Sequence, residues 1–133
     1  MAEEFVGRFR TNRVSLPAIA LVADATALTC IGNDFGLDQL FSRQVEGLGK
    51  RGDVLVLLST SGNAPNLRIA LETAHARGMK VVCLLGKSGG PLAGRGDHEV
   101  IVKGHATERI QEAHQVLIHL ILDAVEEAYA LPR

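Results

Sequence analysis

Three short, nearly unbroken apolar runs constrain this chain most. "AIALVA" at 18–23, "DVLVLLS" at 53–59 and "KVVCLLG" at 80–86 are each bounded by turn residues. A strand with one wet face alternates apolar and polar residues; a strand covered on both faces does not. The three runs therefore read as buried parallel strands. "HEVIVK" at 98–103, apolar in the centre and charged at its ends, suits an edge strand. Helical patterns fill the gaps. "GLDQLFSRQVEGLGK" puts Leu37, Leu40, Phe41, Val45 and Leu48 on one stripe, and "APNLRIALETAHARG" does the same with Leu67, Ala70, Leu71 and Ala74 before closing at Gly78. A last, longest helix covers roughly 106–130. Strands alternating with helices give an α/β fold, a three-layer doubly wound parallel sheet with right-handed crossovers.

The 133 residues suffice for one domain spanning 1–133. With 14 basic and 15 acidic residues the net charge is −1 and no like-charge block stands out, which argues against nucleic acid or an anionic membrane surface as main partner. No apolar run approaches the roughly 20 residues of a membrane span. Cys30 and Cys83 sit in apolar stretches without metal or redox spacing, so buried free thiols in a reducing cytoplasm are expected.

"STSGN", Ser59 to Asn63, follows a run expected to be a central strand and precedes a helix. Either it is a plain turn with Asn63 as helix cap, or it is an anion cradle of hydroxyls and backbone amides at a positive helix end. It lacks the lysine of a nucleotide P-loop and the glycine spacing of a dinucleotide site, so no nucleotide cofactor is expected. On the last helix Ile110, Ala113, Leu117, Ile121 and Ala124 gather on the face assigned to the core. Glu108, Glu112, Gln115 and His119 gather opposite, with Gln111 at the edge. Ile118 and Leu122 flank this polar stripe and make it too apolar for open water; a subunit interface with a polar pocket would explain both. His114 reads as a packed histidine near the core border. Glu3 and Glu4 fall in a short helix, while Asn33 and Asp34 in "CIGNDFG" fall in a Gly-bounded turn, where such residues ordinarily serve their own backbone.

Taken together, "AEEFVGRFR", "PAIAL", "CIGNDFG", "FSRQVEGLGKRGDVLVLLSTSGN", "ARGMKVVCLLGKSGG" and "ERIQEAHQVLIH" resemble the sugar isomerase (SIS) domain family, and within it the phosphoheptose isomerase branch. The motifs occur in family order over almost the whole chain. The resemblance implies aldose–ketose isomerisation of sedoheptulose 7-phosphate to D-glycero-D-manno-heptose 7-phosphate through an enediol, supplying heptose-containing surface sugars. By the same resemblance Ser59, Thr60 and Ser61 hold the phosphate. Glu4 and His119 shuttle the proton between C1 and C2, a task for a carboxylate and an imidazole. Asp34 and Asn33 in the "GNDFG" motif, Arg8 and Gln111 contact or flank the substrate. Glu4, Gln111 and His119 match residues that ligate zinc in some members, and a cytoplasmic homotetramer is implied.

Two departures stand out. Ala64 replaces a further phosphate-binding serine. The chain also starts just after the family's N-terminal helices, first strand and "GNGGS"-type loop, a region that carries a central strand and a further zinc-ligand histidine. The domain is therefore expected to be N-terminally incomplete, poorly folded alone and without turnover. The rival from another class is a non-catalytic SIS domain binding a sugar phosphate or a protein, as in replication-initiator-associating relatives; an inactive truncated product is the third reading. Glu4, Gln111 and His119 together favour the enzyme, since a pure binder needs no acid–base pair.

Overall fold

The computed structural model describes residues 1–129; the expected end of the last helix at 130 lies outside them. In chain order the elements are α1 (Ala2–Val6), α2 (Ala25–Phe35), a 3-10 turn (Leu37–Gln39), α3 (Ser42–Leu48), β1 (Val54–Ser59), α4 (Pro65–Ala76), β2 (Lys80–Gly86), a second 3-10 turn (Gly90–Leu92), β3 (His98–Val102) and α5 (Thr107–Tyr129). They fall into two compact units. The larger is Leu21–Gln111; the smaller joins residues 1–20 to 112–129, so α5 begins in the larger unit and runs on into the smaller. Among the described residues no helix is long and apolar enough to cross a membrane.

In the larger unit the parallel sheet has the order β1-β2-β3, with Val54 opposite Lys80 and Val82 opposite His98 at the starts of the two ladders. The core gathers on the sheet and α4: Leu55, Leu57, Val81, Cys83 and Leu85 meet Ala70, Leu71 and Ala74, closed by Val45, Met79 and Leu92. Each fully buried leucine here contributes about 1.5–3 kcal/mol over an exposed one. Asp97 ties the start of the sheet together. Its carboxylate accepts from Lys80 Nζ at 2.6 Å, from the Val81 amide at 2.9 Å and lies 3.1 Å from His75 Nε2.

The sheet corrects four expectations. Residues 18–23 form no strand, and Ile19 and Val22 are about two-thirds exposed. An apolar run becomes a strand only where a neighbour takes its amides and carbonyls, and among the described residues no ladder includes this one. For the same reason β1 is an edge strand rather than a central one: it pairs only with β2, and Val54 and Leu58 are exposed. "CIGNDFG" is not a turn. Asp24 caps α2, accepting from the Ala27 amide at 3.0 Å, and the helix then runs on through Asn33 and Asp34 until Gly36. The stripe from 37 to 48 is not one helix. The Ser42 hydroxyl donates to the Gln39 carbonyl at 3.2 Å and the Gln44 side-chain amide to the Leu40 carbonyl at 2.8 Å, so side chains occupy groups that a continuous helix would bond. Leu37 and Leu48 are left exposed while Val45 is buried.

Two smaller corrections follow. Cys83 is buried but Cys30 is exposed, because α2 turns its face away from the sheet core. On α5 the buried stripe is Ile110, His114, Ile118, Leu122 and Glu126, not the expected Ile110, Ala113, Leu117, Ile121 and Ala124. Strict four-residue spacing carries this stripe around the helix from the expected face, since four residues advance more than one turn. Two polar side chains, His114 and Glu126, ride inside it.

Candidate functional site

Each unit carries its own share of the residues expected to act. In the larger unit β1 ends at Ser59 and the chain turns through Thr60, Ser61, Gly62 and Asn63 into α4. The turn is held from within: the Gly62 amide donates to Ser59 Oγ at 2.9 Å and the Asn63 amide to Ser61 Oγ at 3.3 Å. In both cases the hydroxyl oxygen accepts, which leaves its own hydrogen available to donate. Gly62 sits at φ +70°, and the carbonyl of Gly89 lies where any Cβ there would have to go. A Cβ on Gly90 would in turn stand 2.7 Å from Ser61 O and 2.8 Å from Asn63 Oδ1. The 59–63 turn is thus braced from behind by the loop that follows β2. Asn63 does not cap α4. Ala64 occupies that position and offers no side-chain bond, with Pro65 as the first helical residue. The open helix end therefore keeps its positive partial charge and the Asn66 and Leu67 amides without a side-chain cap. A turn with available hydroxyl donors at an uncapped helix end suits an anion with several oxygens, such as a phosphomonoester.

Also in the larger unit, Asn33 lines a depression of about 370 Å³ with Leu28, Thr29, Gly32, Leu37 and Leu40. Asp34, one residue on, is exposed, its carboxylate 3.6 Å from Cys30 Sγ. Gln111 is exposed at the start of α5.

The smaller unit holds Glu4, Arg8 and His119. Glu4 is half-buried in α1. His119 is exposed on α5 and its ring stacks on Phe9, centroids 5.5 Å apart and planes 29° apart. The Gln115 amide nitrogen lies 3.0 Å from His119 Nε2; with the amide in this orientation Nε2 accepts, which assigns the proton of the neutral ring to Nδ1. Arg8 reaches Asn12 Oδ1 at 3.3 Å and is otherwise turned to solvent.

Two residues that the sequence reading passed over organise this unit. Glu126, only 6% exposed, accepts from the amides of Phe9, Arg10 and Thr11 and from the Thr11 hydroxyl, at 3.0 to 3.4 Å. Burial pushes its carboxyl upward, but the Thr11, Arg10 and Phe9 amides together outweigh that and hold it below the usual carboxylate range. Arg13 is buried beside it and donates to the carbonyls of Phe5 at 2.8 Å, Val14 at 2.9 Å and Glu4. One signal for Glu126 was available: it continues the stripe of Ile110, Ile118 and Leu122 at four-residue spacing. Arg13 has no comparable signature.

Among the described residues no group of three or more His, Cys, Asp and Glu side chains could hold a metal ion. Glu4, Gln111 and His119 offer one carboxylate, one neutral amide and one imidazole, and Gln115 already engages His119 Nε2. Zinc sites take three or four strong donors, so these three do not make one by themselves.

The SIS domain family profile matches residues 1–86. A phosphoheptose isomerase from Geobacter sp. (strain M21) is 52% identical over 123 residues, covering 92% of this chain and 64% of that protein. The chain thus spans a little under two thirds of the length of such relatives. The solved structure of phosphoheptose isomerase from Neisseria gonorrhoeae superposes with a TM-score of 0.87 at 44% identity, over 95% of this chain and 67% of that one. A phosphoheptose isomerase from Francisella tularensis gives 0.90 at 36% identity, over 95% and 68%. With its parallel α/β sheet, its "STSGN" turn and these likenesses, the chain belongs to the SIS domain family, in the phosphoheptose isomerase branch.

Proposed function

We propose the activity of a phosphoheptose isomerase, interconverting sedoheptulose 7-phosphate and D-glycero-D-manno-heptose 7-phosphate. The observation that carries the reading is the 59–63 turn, in which the Ser59 and Ser61 oxygens accept from amides of the turn, leaving both hydroxyl hydrogens available as donors at an uncapped helix end. The relatives' names support a catalyst over a non-catalytic binder. In this reading Ser59, Thr60 and Ser61 bind the phosphate, and Asn33, Asp34, Arg8 and Gln111 contact the sugar.

Isomerisation moves one proton between C1 and C2 and a second between their oxygens. Glu4, as carboxylate, takes the carbon-bound proton while His119 supplies one to the carbonyl oxygen, which gives the enediol; His119 then recovers a proton from the neighbouring hydroxyl. The bond orders then reverse, and the proton returns to the neighbouring carbon. The Gln115 side chain, 3.0 Å from His119 Nε2, would orient the ring for this role. Zinc would be held by Glu4, Gln111 and His119 only with donors from elsewhere, which metal analysis of the purified protein tests. The proposed homotetramer is tested by light scattering. Its product would feed heptose-containing surface sugars from the cytoplasm.

The deciding experiment follows deuterium exchange at C1 and C2 of sedoheptulose 7-phosphate by NMR. Glu4→Gln and His119→Ala should each lower kcat by about 10²–10⁴-fold with the fold kept. Ser61→Ala should instead raise KM by roughly 5–150-fold, the loss of a charge-assisted hydrogen bond worth about 1–3 kcal/mol. Exchange at the parent rate in either of the first two variants removes that residue from the chemistry.

A further inference from the structure

The smaller unit contains a buried ion pair that the isomerase reading does not use. Glu126 gathers three successive amides and a hydroxyl from residues 9–11, and Arg13 gathers the carbonyls of Glu4, Phe5 and Val14. The side chains are 1% and 8% exposed, and Arg13 Nε stands 3.7 Å from Glu126 Oε1. Arg13 Nε has no hydrogen-bond partner although it is buried. A pair selected for stability alone would close that gap, because an unsatisfied buried donor is costly and a buried ion pair is often no better than apolar packing. The backbone carbonyls, not Glu126, set where the guanidinium sits. What the pair accomplishes is geometric: one partner grips the peptide of Glu4, the other grips the segment whose Phe9 stacks on His119, and Glu126 shares a helix with His119.

We propose that Arg13 and Glu126 are positioning residues, a buried clamp that fixes the Glu4 backbone and the Phe9 ring against the helix bearing His119. This rests on the isomerase reading for its kinetic consequence but not for its geometry. A planar guanidinium serving three carbonyls cannot be replaced by an ammonium, so charge alone should not suffice.

The test uses Glu126→Gln and Arg13→Lys in the purified enzyme, with Glu127→Gln as an exposed control on the same helix. Three quantities are read: kcat and KM, affinity for inorganic phosphate, and the ring-proton NMR shifts of His119. Both clamp variants should lose roughly 100-fold in kcat, the cost of about 1 Å of misplacement, while phosphate affinity stays within about twofold. The His119 shifts should lose the Phe9 ring-current contribution in Glu126→Gln and keep it in the control. A folded Glu126→Gln with parent kcat and parent His119 shifts overturns the proposal. So does a kcat loss matched by an equal loss of phosphate affinity, which marks general destabilisation. If the parent shows no turnover, the His119 shifts decide the clamp by themselves. Should Glu126→Gln not fold, Arg13→Lys carries the same outcomes.

Discussion

Replacing Gly62 by alanine should damage the proposed phosphate turn more than any other single methyl group added there. Two costs combine. At φ +70° an L-residue is strained by about 1–2 kcal/mol. The new Cβ would also fall inside the Gly89 carbonyl group and 3.1 Å from the Gly90 nitrogen, so the brace behind the turn must move; overpacking of that kind costs about 1–3 kcal/mol. The sum is about 2–5 kcal/mol. Gly52 supplies the control. It has φ +90° but nothing within 4 Å of its Cβ position, so Gly52→Ala bears the strain without the collision. Thermal melts of both variants, with titration of inorganic phosphate by calorimetry, separate the two costs. Gly62→Ala should melt lower than Gly52→Ala and lose phosphate affinity at least tenfold, whereas Gly52→Ala should keep it. Equal melting temperatures, or phosphate bound by Gly62→Ala as by the parent, would refute the view that the loop after β2 shapes the cradle.

Three further outcomes are expected. Leu71→Ala, at a position 1% exposed between α4 and the sheet, should destabilise by about 2–5 kcal/mol in urea unfolding with an unchanged slope. The Lys80 ammonium first, then the Val81 amide and His75, hold the Asp97 carboxyl well below the usual carboxylate range. A depressed folded-state value stabilises at neutral pH and is lost as pH falls below about 4, so Asp97→Asn should flatten the dependence of Tm on pH between 7 and 3. Under native conditions a thiol reagent should modify Cys30 quickly and leave Cys83 unreacted, because Cys83 is buried and burial, with Glu99 nearby, raises its thiol; two reactive thiols would contradict the core assignment.

Much of this architecture is local physics written along the chain. β1, β2 and β3 appear within a residue or two of the apolar runs that announced them, and α4 and α5 follow their periodic stripes. The "STSGN" turn was legible for the same reason: a cluster of hydroxyls between a strand and a helix is a local pattern. Of the two readings of that turn, the plain one with Asn63 as cap is excluded, because Pro65 favours the first helical position and so moves the cap to Ala64. Asn33 and Asp34 were read from turn propensity, which the cap at Asp24 overrides by setting where α2 starts.

Sequence by itself determined the alternation of strands and helices, the parallel sheet and the residue types offered for chemistry, since each depends on neighbours within about one turn or one strand. Tertiary structure alone decided three things. It withheld a ladder from 18–23, because strand formation depends on a partner's hydrogen bonds and not on the run itself. It turned the buried face of α5 onto His114 and Glu126, because a helix buries the face its surroundings can cover and satisfy. And it set Arg13 beside Glu126, more than a hundred residues apart in the chain, where the loose amides of 9–11 and the carbonyls of Glu4, Phe5 and Val14 needed charged partners once they were removed from water.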